Sequence, residues 1–161
     1  MIEFFQSLIT CLNEEAGRYR HLKTLAEKQK ELLVEGKTDV LPENVRLEEK
    51  EVFALGPIIA QRNEWLGKLA KGYGLKTLSL NEALKRAPVE IIEELKKSMI
   101  ELIQSAKALE ETNQSNEKLL QNALAYVNFT LKVIANGGKK QAFAPSVKTE
   151  ESSSSFVNRI V

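Results

Sequence analysis

Apolar residues recur every three or four positions through the longest periodic segment of the chain, residues 88–135. This spacing places them on one face of an α-helix. At 1.5 Å per residue the helix would be roughly 70 Å long, so it needs other long helices to cover its apolar face. The positions in this row, including two polar ones, are Ile92, Leu95, Met99, Leu102, Ala106, Leu109, Asn113, Asn116, Leu120, Ala123, Val127 and Leu131.

Two earlier segments have the same heptad spacing. The first, residues 2–35, has Glu15 and Gln29 as polar exceptions in its apolar row. The second, residues 40–71, is interrupted by Gly56-Pro57, but the heptad phase is unchanged across the interruption. We therefore expect one bent helix there. Its row consists of Leu41, Val45, Glu48, Val52, Leu55, Ile59, Arg62, Leu66, Leu69 and Tyr73.

A short helix is predicted between the second and the long segment. Ser79 and Glu82 have the spacing of a capping box, which marks a helix N-terminus. Pro88 then suits the first turn of the long helix. The connections are too short for parallel neighbours, so the predicted fold is all-α: an antiparallel three-helix bundle of long helices with a short extra helix between helices 2 and 3. The bundle would cover residues 1–136, followed by a polar, serine-rich flexible C-terminal tail over residues 137–161.

Composition narrows the function classes. The chain has 161 residues, with 23 Lys and Arg against 22 Asp and Glu, so its net charge of +1 gives no field that favours nucleic acid or an anionic membrane. Neither a membrane span nor a signal peptide is visible. Cys11 is the only cysteine, which excludes an internal disulfide. We expect a cytoplasmic protein that is not a membrane protein.

The sequence lacks the motifs of an enzyme or a metal protein. His21 is the only histidine, and Cys11 lies ten residues away from it, so no metal-ligand spacing and no nucleophile with its base can be assigned. No cofactor is predicted, and we expect a protein without enzymatic activity.

Asn113 and Asn116 interrupt the apolar row of the long helix and allow two interpretations. They fix the register of the bundle, as a buried polar heptad residue does, or they face water where the bundle opens. The second follows from length, because the long helix exceeds the other two by roughly four turns. The residues beyond would then form an apolar partner site. Its candidate residues are Asn116, Leu119, Leu120, Ala123, Leu124, Val127, Leu131 and Ile134.

Four short motifs follow one another along the three long segments: Tyr19-x-x-Leu22-x-x-Leu25, Leu47-x-x-Lys50, Arg62-x-x-x-Leu66-x-x-Leu69 and Asn113-x-x-Asn116-x-x-Leu119-Leu120-x-x-x-Leu124-x-x-Val127-Asn128-Phe129. Their order resembles the FlgN family of flagellar export chaperones. The resemblance implies a cytoplasmic chaperone of flagellar hook-associated (hook-filament junction) proteins. It would hold their self-associating terminal helices apart and bring them to the type III export gate, without hydrolysing ATP.

The end of the chain is a second candidate docking element. An apolar cluster there follows a four-serine run, and a polar linker seldom ends in this way by accident. The cluster either covers the apolar partner site at the end of the long helix until a client arrives, or it docks to a second partner such as the export gate. Its candidate residues are Phe156, Val157, Arg159, Ile160 and Val161.

A structural coiled-coil scaffold or adaptor is the alternative function. It would need long unbroken heptads, and the Gly56-Pro57 interruption, the short extra helix and the separate tail count against it. The sequence leaves the oligomeric state and the exact client open.

Overall fold

The computed structural model describes residues 1–136, and every regular element of that part of the chain is a helix, without a strand. This confirms the all-α prediction. The predicted tail, residues 137–161, lies outside the described residues. The helices are α1 (Ile2–Glu35), α2 (Leu41–Gly72), α3 (Leu80–Arg86) and α4 (Ile92–Ala135).

The ends of the helices follow from local chemistry. Gly36 ends α1 with φ 69°, a left-handed conformation that glycine adopts without strain. The Ser79 hydroxyl accepts from the backbone N–H of Glu82, and the Glu82 carboxylate accepts from the N–H of Ser79. The predicted capping box is therefore confirmed. α2 is one helix across Pro57, as the unchanged heptad phase predicted.

The predicted start of the long helix at Pro88 is wrong by four residues. A turn comes first, in which the Pro88 carbonyl accepts from the N–H groups of Ile91 and Ile92, both at 3.0 Å. Ile91 is buried in the core and has φ −118°, far from the −63° of a regular helix, so α4 begins after it.

α1 is the central helix of the described part. α2 runs antiparallel to it, because Asn44 near the start of α2 bonds Leu25 and Arg62 farther along bonds Glu15. α4 runs in the same direction as α1. The backbones of α2 and α4 come within 8 Å of each other nowhere in residues 1–136, whereas both pack closely on α1. The three long helices thus alternate in direction, but two of them diverge.

The core is densest around the N-terminal halves of α1 and α4. The largest fully buried apolar side chains are Phe5, Leu8, Leu12, Leu69, Leu95 and Leu102.

A buried ion pair joins α1 to α2 next to this core. Arg62 Nη1 donates to both carboxylate oxygens of Glu15 at 2.9 Å, and the Tyr19 hydroxyl donates to Glu15 Oε1 at 3.0 Å. Burial raises the pKa of the Glu15 carboxyl, against the opposing effect of Arg62 and Tyr19. Removing one partner of such a pair costs about 3–5 kcal/mol, so the pair selects one register of α1 against α2.

Candidate protein-binding site

The last buried residue of α4 is Asn116. This side chain is 2% exposed, and its Nδ2 donates to the Ala26 carbonyl at 2.7 Å and to Gln29 Oε1 at 3.0 Å. Asn113, one turn earlier, is exposed. The two interpretations of this pair therefore divide: Asn116 is a buried register residue, and Asn113 faces solvent. No residue of α4 after Asn116 is buried.

The end of α4 projects beyond α1. Asn116 lies opposite Ala26, and α1 ends at Glu35, so α4 continues for about ten residues, or roughly 15 Å, past its partner. Five large apolar side chains at spacings of four and three share one face of α4 from Leu120 into this projecting end, with between 46% and 69% of each exposed. We call them the α4 stripe: Leu120, Leu124, Val127, Leu131 and Ile134.

The remaining predicted site residues lie in different surroundings. Leu119 is half-buried and Ala123 is exposed. Asn116 is buried with its Nδ2 bonded to α1, and its role in client binding stays a prediction. The terminal cluster, Phe156, Val157, Arg159, Ile160 and Val161, lies outside the described residues.

A groove lies between α2 and α4 where the two helices diverge. It has a volume of about 490 Å³, far more than the ~30 Å³ that one water occupies, so it is a cleft rather than a packing defect. Its α2 wall is apolar and its α4 wall is polar and acidic. The residues of this α2–α4 groove are Tyr19, Val52, Leu55, Gly56, Ile59, Leu109, Glu110, Asn113, Gln114 and Glu117.

The sequence did not predict this groove. Val52 occupies a heptad position of the second segment and was expected inside, yet it is 58% exposed. The available signal was Gly56, since a residue without a side chain leaves an apolar helix face open. The heptad pattern does not determine the distance between α2 and α4, so it could not show that a cleft separates the two helices.

The described residues carry no other arrangement that indicates chemistry. Within them, no three His, Cys, Asp or Glu side chains come together as metal ligands would. Burial raises the pKa of the Cys11 thiol, which keeps it in the unreactive protonated form. None of the helices of residues 1–136 is long and apolar enough to cross a membrane.

Comparison with known proteins agrees with this geometry. The model of one family, described as FlgN protein, matches residues 1–147, which include every helix described above. The chain belongs to the FlgN family. The resemblance noted in the sequence is thereby confirmed, and FlgN membership makes the protein a helical chaperone of flagellum biogenesis. No curated protein and no solved structure matches the chain.

FlgN membership also weighs on the alternatives. FlgN proteins form a chaperone family, which favours the chaperone over the scaffold alternative. An exposed apolar helix end is what a chaperone needs to hold a partner. The family match by itself names neither the client nor the residues that bind it.

Proposed function

We propose that this protein is a cytoplasmic export chaperone that binds the self-associating terminal helices of flagellar hook-associated (hook-filament junction) proteins. It prevents their premature assembly and delivers them to the type III export apparatus, without a cofactor. The observation that carries this proposal is the α4 stripe, which extends beyond α1 with its apolar side chains in solvent.

The stripe suits the recognition of one helix by another. An amphipathic client helix can pack its apolar face against the α4 stripe, so that both apolar surfaces are removed from water. Burial of apolar surface contributes a favourable free energy of about 25 cal/mol per Å². The same client face drives self-association, so a client bound here cannot polymerise. Release at the export apparatus then restores the ability of the client to self-associate.

Two substitutions in the middle of the stripe test the proposal. Leu124→Asp together with Val127→Asp should abolish complex formation with purified hook-filament junction proteins in size-exclusion chromatography and calorimetry. Each charge would be buried without a partner in the complex, so we expect a loss of at least about a hundredfold in affinity. The melting temperature should stay within a few degrees, because neither side chain packs in the bundle.

Asn122→Asp with Asn128→Asp is the matched control. It adds the same charge to the same exposed helix at polar positions off the stripe, and should bind clients like the wild type. A large fall in melting temperature of the stripe variant would show that the stripe is core. Unchanged client binding would exclude the stripe as the site.

The terminal cluster, Phe156 to Val161, is proposed as a second docking element. The exposed stripe offers it a surface in the same chain, and the export gate offers it one in another protein. We favour docking to the second partner, because the stripe is then free to hold the client while the tail is engaged elsewhere.

A further inference from the structure

We propose that the client-binding surface continues from the α4 stripe into the α2–α4 groove, which receives the part of the client helix whose apolar face is bordered by Lys or Arg. This inference rests on the proposed function. It adds a second wall to the site and states the charge pattern of the helix that fits.

The stripe and the groove are continuous along α4. Leu109 and Asn113 in the groove lie on the same face as Leu120, Leu124 and Leu131, since successive members are four or seven residues apart. Leu109 itself is buried, so the accessible part of this face runs from Asn113 to Leu131. That part is roughly 27 Å long, the length of a client helix of about five turns.

The α2 wall offers uncovered apolar surface to such a helix. Val52 is largely exposed although it lies on the inward heptad row, with the half-buried Ile59 farther along the same wall. Between them Gly56 leaves a gap: a Cβ placed there would meet no atom within 4 Å. A client side chain therefore has room to enter between α2 and α4.

The α4 wall is negative. Glu110 and Glu117 line it two turns apart, with Asn113 and Gln114 between them, and no Lys or Arg of residues 1–136 lines the groove. Neither carboxylate forms an ion pair with any residue of the described part. Gln121 Nε2 donates to Glu117 Oε1 at 3.3 Å, which leaves the charge of that carboxylate without a cation. An incoming helix thus meets an apolar wall on one side and carboxylates without a cationic partner on the other. Charge complementarity selects Lys or Arg at that border and disfavours Asp or Glu.

Filling the groove from within is the first test. Gly56→Leu puts a branched side chain into the gap, and Gly56→Ala is its matched control. Both variants gain the same Cβ before Pro57, and hence the same backbone effect in the helix, but only leucine fills space. With a full-length hook-filament junction protein as the probe, Gly56→Leu should weaken binding about tenfold or more. Gly56→Ala should bind within about twofold of the wild type.

Two designed peptides test the charge pattern. They are helices of equal length with the same apolar face, one bordered by lysines and the other by glutamates. The lysine peptide should bind the full-length chaperone at least about tenfold more tightly at low salt. Glu110→Gln with Glu117→Gln should remove that preference. Glu93→Gln with Glu94→Gln, exposed carboxylates at the other end of α4, should keep it.

The outcomes separate the two proposals. Client binding that is abolished by the stripe substitutions but unchanged in Gly56→Leu and in the glutamine variant would overturn the groove and leave the proposed function intact. Client binding that survives the stripe substitutions would overturn both. Tighter client binding in Gly56→Leu would mean that an internal segment competes for the groove. A dimer that Gly56→Leu dissociates would assign the groove to a second copy. Either of these results overturns the inference.

Discussion

At the scale of single residues, four of the polar exceptions of the heptad rows form two pairs. Glu15 in α1 meets Arg62 in α2, and Gln29 in α1 meets Asn116 in α4. Burial of either member without its partner would be costly. Each pair therefore disfavours any other register of the two helices that carry it. The sequence showed these four positions as interruptions of apolar rows. It could not show which would meet, because pairing depends on the relative height of helices far apart in the chain.

Asn116 and Asn113 provide a matched pair for testing this account. Asn116→Ala should lower the free energy of unfolding by about 1–3 kcal/mol, because the hydrogen bonds to Ala26 and Gln29 are lost in a buried site. Asn113→Ala, on the same helix but exposed, should change it by less than about 0.5 kcal/mol. Urea titration followed by circular dichroism measures both. Equal effects would contradict the role of Asn116 as a register residue.

A second residue-scale prediction concerns pH. Burial acts to raise the pKa of Glu51, but hydrogen bonds from Arg18 at 3.0 Å and His21 at 3.2 Å prevail and lower it. A lowered pKa in the folded state gives stability that is present above the unfolded pKa and lost as the pH falls through the folded one. Between about pH 5 and pH 3 the wild type should therefore lose more stability than Glu51→Gln.

Urea denaturation midpoints at several pH values across this window measure the difference. Glu49→Gln, an exposed neighbour on α2, should follow the wild type. Parallel curves for the wild type and Glu51→Gln would show that the contacts of Glu51 with Arg18 and His21 do not stabilise the fold.

At the scale of elements, all the buried residues of α4 lie at or before Asn116. Its apolar spacing is the same on both sides of Asn116, yet only the first half is buried. Periodicity identifies the apolar face of a helix but not the element that covers it. What did indicate the free half was length, because a helix that outruns its partners must leave an end uncovered. The sequence predicted that the long helix exceeds its partners by roughly four turns. In the structure α4 extends about ten residues, or roughly three turns, past α1.

Hydrogen exchange should divide α4 at Asn116. A helical end without buried residues is only marginally stable, so the amides of residues 120–135 should exchange at least about a hundredfold faster than those of residues 95–116. Addition of a hook-filament junction protein should then slow exchange in residues 120–135. Mass spectrometry of the free and bound protein measures both effects. Uniform protection along α4 in the free protein would mean that something covers the stripe.

At the scale of the whole molecule, the chain could be assigned its class and helix order from sequence, but not its open shape. Three heptad segments and a capping box predicted α1 to α4 in order. The divergence of α2 from α4 depends on how each packs on α1, which no single row of residues encodes. For this reason the stripe could be predicted residue by residue, whereas the groove beside it required the structure.

Deletion of the terminal cluster is the prediction that belongs to the whole chain. If residues 156–161 dock to a second partner, their removal should leave client affinity unchanged in calorimetry yet reduce the amount of hook-filament junction protein secreted by cells several-fold. Deletion of residues 150–155 is the matched control, since it removes the same length of polar sequence and keeps the apolar end. Tighter client binding after loss of residues 156–161 would show instead that the cluster competes with the client for the stripe. Weaker binding would make it part of the client site, because no other role of the cluster would lower that affinity.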